Sequence, residues 1–408
     1  MSGEPEIAAA LHMADEDHDA VVALTRELVR IPSRGGVDSY EPVLEHTMAW
    51  LAAHGLRPRK LTGAGPQGTT VAVVCEVSGV HTGPRYVLDA CLDTAPYGDE
   101  AAWTYPPSSG EITDGWLHGR GSADSKVGAA IFAHVLARLN EDRRALHGGV
   151  LLLLDVDEHT GGFGGAKAYF EGPAALGQVD GVMIGYPGIE HVVVGGRGVL
   201  RASVHVHGVA GHSGGSKVTP SAIAKAADLV TVLGRAELPG SGGPEFPPAA
   251  KLTVTAINGG EGFSLTPDLC TLNVDIRLTP AMDDRAAEDL LRGCVATVDT
   301  AWPGTRPSSL EITTRWPPYR LGEDSQVGRA LLGAAAKAGL APEAKVAGPS
   351  NIGNYLAGLG VEATAGFGVD YVGLHATDER IRLGSIPPVQ ATYHHALLTL
   401  LKPRGNHH

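Results

Sequence analysis

Three short apolar runs constrain this chain more than any other feature: Val71 to Val77, Tyr86 to Cys91, and Val150 to Leu154. Each reads as a strand, and Val127 to Leu139 reads as a helix between the last two. Ahead of them, residues 17–31 place Val21, Leu24, Leu28 and Ile31 at helical spacing, and Pro32 ends that helix. Buried strands alternating with helices imply a largely parallel sheet covered by helices. Ligands of such sheets sit beyond the carboxyl ends of the strands, so the polar residues that follow each run carry the functional information.

A chain of 408 residues is too long for one compact core, so two domains are expected. The pattern changes near Gly195. Leu200 to Gly208 alternates like a half-exposed strand, Pro220 to Gly234 is helical, and a Gly- and Pro-rich loop runs from Pro239 to Pro248. Strands at Lys251 to Ile257 and Thr271 to Leu278 and a helix from about Asp283 to Val295 complete a β-α-β-β-α unit. After Pro307 the mixed pattern returns, with a helix from Ser325 to Gly339. The expected organisation is a first domain of residues 1–196, an inserted α+β domain of residues 197–306, and a return to the first domain over 307–408.

Composition narrows the partners. The net charge is −13 and no Lys or Arg run forms a basic stripe, which argues against nucleic acid and anionic membranes. The apolar runs fall far short of the roughly 20 residues of a membrane helix. The acidic start, MSGEPEIAAALHMADEDHD, lacks the basic flank and apolar core of a signal peptide. Cys75, Cys91, Cys270 and Cys294 show neither zinc-knuckle nor disulfide spacing, so a cytoplasmic, reducing setting is expected.

Four polar segments stand at the expected strand ends and loops: ACLDTAPYGD (Ala90 to Asp99), GRGSADSKVG (Gly119 to Gly128), DVDEHTGGFGG (Asp155 to Gly165) and LHATDE (Leu374 to Glu379). Together they gather Cys, Asp, Glu and His, the side chains that bind divalent metals. Singly each is weak, since an Asp after a strand is commonly a helix cap and a lone His commonly structural. In sequence and in order they resemble the co-catalytic zinc family of aminoacylases, acetylornithine deacetylases, succinyl-diaminopimelate desuccinylases and glutamate carboxypeptidases. The family's segments read H-x-D-T-V-P, G-R-G-x-x-D-x-K, D-E-E-x-G-G and a final His before T-x-D-E. GVAGHSGG (Gly208 to Gly215), INGGEGFSLTPD and the DIR of Asp275 to Arg277 resemble segments of the family's lid domain. The resemblance implies an α/β zinc-peptidase-like catalytic domain with a mixed, mostly parallel sheet and an inserted ferredoxin-like lid that forms a homodimer.

Carried over by residue, the resemblance assigns the bridging metal ligand to Asp124, the general base to Glu158 and the last ligand to His375. The other ligand positions differ. Cys91 stands at the first His, His159 at the second Glu, and Tyr186 at the later acidic ligand. The family's five ligands bring three negative charges to two dications, whereas this set brings one from Asp124 and another only if Cys91 is a thiolate. His159, Asp124 and His375 still form a self-consistent set of two imidazoles and a carboxylate. A single divalent metal is therefore expected, zinc first, with iron, manganese and cobalt as alternatives.

Cys91 reads equally as a ligand and as a small buried residue. Asp93 resembles the residue that orients the first ligand, a role that a Cys there leaves without purpose, or it bonds locally. Tyr186 reads as a pocket wall rather than a ligand. His212 resembles the lid His that stabilises an oxyanion across a dimer, or is a polar turn residue. Arg277 resembles the Arg that grips a substrate carboxylate, and Ser264 and Asn351 occupy pocket positions where the family carries Asn and Asp. The leading expectation is a metal-dependent amidohydrolase acting on a small carboxylate-bearing N-acyl amino acid or dipeptide. A non-hydrolytic reaction in the same pocket and a non-catalytic binding role are the alternatives.

Overall fold

The computed structural model describes residues 4–63, 69–172 and 178–403. They form two compact units, one of Met1–Val194, Leu321–Lys345 and Gly360–His408, the other of Gly195–Arg320 and Val346–Leu359.

The first unit is built on a six-stranded sheet of β1 (Arg59–Thr62), β2 (Thr70–Ser78), β3 (His81–Cys91), β4 (His147–Asp155), β5 (Gly181–Ile184) and β6 (Ala363–Ala365). Its order is β1-β2-β4-β3-β5-β6. The pairs from β4 to β6 are parallel, and the two at the β1 edge are antiparallel. The sheet is mixed and mostly parallel, as its apolar strands imply. Val150 to Asp155 are all buried, because helices cover the central strands. Helix α2 (Val127–Glu141) is buried all round from Val127 to Leu136 and packs on β3 and β4. Helix α1 (Glu4–Arg30) packs against α2 and against α3 (Ile386–Leu400). It starts well before the expected residue 17. Ile7, Ala10 and Ala14 recur at helical spacing and pack with Ala391, and this small contact continues the helix through an acidic stretch.

The second unit holds a four-stranded antiparallel sheet in the order Lys251–Gly259, Leu269–Leu278, Gly198–His207, Ser309–Trp316. Strands Gly198–His207 and Leu269–Leu278 alternate buried and exposed positions, and their inner residues pack with Leu229, Leu233, Leu291 and Val298 of two helices. These helices, Ala222–Gly234 and Asp284–Ala301, start at Ser221 and Asp283, whose side chains accept the N–H groups of Ala224 and Ala286. The unit extends past the expected boundary at 306. Ser309–Trp316 adds a fourth strand, an edge strand whose exposed Glu311, Thr313 and Arg315 mute the apolar signal. Val346–Leu359 also belongs to it. The Asn354 amide donates to the carbonyls of Gly196, Arg197 and Pro317 at 3.3, 3.0 and 2.9 Å. No described helix is long and apolar enough to cross a membrane, and all four cysteines are unpaired.

Candidate metal centre

Strands β4, β3 and β5 are parallel neighbours, so the residues after their carboxyl ends share one edge of the sheet. Cys91 ends β3, with Asp93 two residues later. Glu158 and His159 follow β4, and Tyr186 follows β5. Asp93 joins two of these loops. Its carboxylate accepts the backbone N–H of Glu158 at 3.2 Å and of His159 at 2.9 Å. That contact explains an Asp here even though residue 91 is not a histidine.

Asp124 lies in the Ser122–Lys126 turn ahead of α2, with non-helical φ −116° and ψ 95°, and the Asp124–Ser125 peptide is cis. The N-cap of α2 is Lys126, and the Asp124 carboxylate turns to His375 and Cys91 rather than to the helix. That carboxylate lies 2.8 Å from His375 Nε2 and 3.5 Å from His159 Nε2. Donor atoms of Cys91, Asp124 and His159 lie within 4.8 Å of one another. His375 joins this group through Asp124 and is half-exposed, whereas the His159 side chain is 4% exposed. The backbones of His375 and Asp157 sit at φ 57° and 75°, left-handed conformations that non-glycine residues adopt at a cost, often beside functional sites.

The His159 ring is the decisive feature. Both of its nitrogens are buried without a hydrogen bond, yet Nδ1 lies 3.5 Å from Asp93 and 3.4 Å from Glu158. An imidazole among carboxylates that does not complete hydrogen bonds with them has the chemistry of a ligand set around a cation. Burial disfavours a charged ring, but Asp124 and Asp93 outweigh it and raise the His159 pKa. Burial also raises Asp124, but the His159 and His375 imidazoles more than offset this and hold its carboxyl well below the usual range. Burial, with the Asp124 charge, pushes Glu158 up to about 7. Burial drives Cys91 well above the usual thiol value despite His159, so it sits here as a neutral thiol, 3.2 Å from Ser125 Oγ. Tyr186 donates its hydroxyl to Glu158 Oε1 at 2.8 Å, and burial followed by the Glu158 charge keeps the phenol neutral.

The remaining expected residues lie in the second unit. His212 is exposed on the short Gly211–His212 strand, paired with Leu265–Thr266, next to Ser264, whose carbonyl accepts the Ser213 N–H. His212 Nδ1 accepts the Gly214 N–H at 3.0 Å, which leaves its proton on Nε2. Arg277 is bound to Asp275 by two hydrogen bonds and to Ser350 by a third. The Asn351 side chain caps the helix Ile352–Gly358 by accepting the Gly353 N–H.

Three residues in the quoted segments take part without having been singled out. Glu379, fully buried, accepts from Arg120 at 2.6 Å and from the N–H groups of Ala123 and Asp124 at 2.9 and 3.3 Å, fixing the Asp124 turn to the His375 loop. Lys126, equally buried, donates to the carbonyls of Leu28 and Ile31 at the end of α1. The sequence signal was present in GRG, D-S-K and T-D-E, but Glu379 and Lys126 act on backbone atoms, and Arg120 on Glu379, through contacts that no spacing reveals.

Comparison with known proteins identifies the family of this fold. The pattern of peptidase family M20/M25/M40 matches residues 87–399. A succinyl-diaminopimelate desuccinylase of Cereibacter sphaeroides is 30% identical over 400 residues, covering 91% of this chain and 96% of that protein. An M20 family metallo-carboxypeptidase from Sulfolobus solfataricus superposes with a TM-score of 0.73 at 16% identity, over 93% of this chain and 98% of that one. A Bacillus subtilis protein described as a dinuclear metal binding peptidase of the M20 family gives 0.69 at 16%, over 95% and 99%. The chain belongs to the peptidase M20/M25/M40 family and is a hydrolase of amide bonds.

Proposed function

We propose that this protein removes an acyl group from, or splits, a small carboxylate-bearing amino-acid derivative, using one divalent metal held by Asp124, His159 and His375 beside Cys91. The buried His159 ring, without hydrogen bonds among carboxylates, carries this reading. Zinc suits two imidazoles and a carboxylate, and iron, manganese or cobalt would also fit. Bound there, the ion would supply Lewis-acid polarisation of the scissile carbonyl.

Glu158 takes the proton from the attacking water and returns it to the leaving amine nitrogen. The Tyr186 hydroxyl holds one Glu158 oxygen, which leaves the other to face the reaction. In the second unit, His212 with its proton on Nε2 is a donor suited to an oxyanion. Arg277 has two of its five N–H donors left beyond its three hydrogen bonds, enough to bind a carboxylate oxygen. Asn351, next to the Ser350 that Arg277 contacts, and Ser264, next to the His212 strand, shape recognition. The desuccinylase relatives are named for removal of a succinyl group from diaminopimelate, a substrate of this acylated, carboxylate-bearing class.

Turnover of a panel of N-succinyl and N-acetyl amino acids and dipeptides by wild type and Glu158→Gln tests the reading. The variant should keep its metal and lose about 10²- to 10⁴-fold in kcat. Near-full turnover by Glu158→Gln would remove its role. The second unit should also pair two copies of the chain into a homodimer, and sedimentation showing only monomer at micromolar concentration would contradict that.

A further inference from the structure

His375 is held differently from the other expected ligands. Cys91 and the side chains of Asp124 and His159 are buried, whereas the His375 side chain is 52% exposed. It lies on a loop, residues 373–379, that closes the antiparallel pair Tyr371–Val372 and Arg380–Arg382. Gly373, His375 and Asp378 have φ of 79°, 57° and 59°. For His375 and Asp378 that conformation is unfavourable, so the loop keeps its course only where bonds hold it.

Two adjacent anchors supply those bonds. Glu379 is buried and tied to Arg120 and to the backbone of the Asp124 turn. Asp378 binds at the surface, where its carboxylate accepts the Thr104 backbone N–H at 2.7 Å and the Thr104 hydroxyl at 2.9 Å. Thr104 is itself firmly seated. The preceding Trp103 is buried, donates its ring N–H to the Tyr97 carbonyl at 3.0 Å, and has the Arg120 guanidinium over its ring at 5.2 Å. From Gly373 to Thr377, the only hydrogen bonds among the described residues are a turn from the Ala376 N–H to the Gly373 carbonyl and the contact of His375 with Asp124.

We propose that Thr104 and Asp378 form a latch that keeps His375 against the ligand set and thereby sets how fast a bound metal leaves. Both are positioning residues, and neither touches the ion. This rests on the metal-centre reading above. An ion beside Asp124, His159 and Cys91 is enclosed by buried side chains, and His375 is the ligand on the solvent side. Release therefore begins where the loop yields most easily. That place is Asp378, whose bonds are exposed, and not Glu379, which is buried and paired with Arg120.

The test follows Zn²⁺ release from loaded protein into excess chromophoric chelator by stopped flow, with thermal melting of each metal-free protein in parallel. Wild type is compared with Thr104→Val, Thr104→Ser and Asp378→Asn. Asn tolerates a left-handed backbone, so the change at 378 removes an acceptor without adding strain. Thr104→Val and Asp378→Asn should release Zn²⁺ about three- to tenfold faster, the effect of losing one exposed hydrogen bond. Thr104→Ser should match wild type, and the metal-free Tm should stay at the wild-type value throughout. Wild-type release rates in both Thr104→Val and Asp378→Asn would overturn the proposal. So would a Thr104→Ser as fast as Thr104→Val, or faster release with a lowered metal-free Tm, the sign of a purely structural contact. The two positions lie on separate loops and are read independently, so a folding failure in one leaves the other decisive. A wild type that takes up no Zn²⁺ overturns the metal reading and this proposal with it, whereas normal uptake with unaltered variants overturns this proposal alone.

Discussion

Glu379 and Arg120 show how much of the site depends on side chains that never face a substrate. Glu379 is 0% and Arg120 2% exposed at the side chain, and between them they hold the backbone of the Asp124 turn. Removing one charge from such a pair leaves the other buried and unpaired, which costs about 3 kcal/mol or more. Glu379→Gln should therefore lower the urea unfolding free energy by about that amount and loosen metal retention, because Asp124 loses its anchor. A change below about 0.5 kcal/mol would show that the pair does not organise the turn. At this scale Asp124, Glu158, His159 and His375 were singled out from residue type and order, and the structure brings these four side chains close together. Asp93 was half-legible: its position was clear, but its grip on two backbone N–H groups was not. Asn351 and Arg277 were read as substrate contacts, and the structure first gives them a helix cap and an ion pair with Asp275.

The elements were legible wherever burial imposes a period. Strands β2, β3 and β4 and helix α2 fall where their apolar runs lie, because a strand covered on both faces must be apolar throughout. The early turns of α1 and the edge strand Ser309–Trp316 were not, since each buries only a few small or intermittent residues and its propensity is ordinary. Helix α3 adds a titratable weakness to the core. His394 is 3% exposed, its Nε2 has no hydrogen-bond partner among the described residues, and burial lowers its pKa to about 4. An unfolded histidine takes up its proton near pH 6.5, so between about pH 6.5 and 4 the unfolded chain holds the extra proton. Stability should thus fall as pH drops through that window, by roughly 3 kcal/mol at most. His394→Leu should show a flatter profile than wild type in urea unfolding from pH 4 to 7. Parallel profiles would mean that His394 does not titrate differently in the two states.

Over the whole molecule, the residues expected to be functional fall in both units: Cys91, Asp124, Glu158, His159 and His375 in the first, His212 and Arg277 in the second. The family is shown, yet the expected ligand positions carry fewer acidic side chains than the resemblance implies, and the account turns on what that difference does to metal binding. On the proposed reading, Asp124 and two imidazoles would hold one dication, whereas a second beside it would meet a neutral thiol and a neutral phenol. The most direct measurement is elemental analysis of the purified protein, repeated on His159→Ala and His159→Glu. The account predicts one divalent ion per chain in wild type, far less than one in His159→Ala, and retention in His159→Glu. Two ions per chain in wild type, or full retention by His159→Ala, would contradict it.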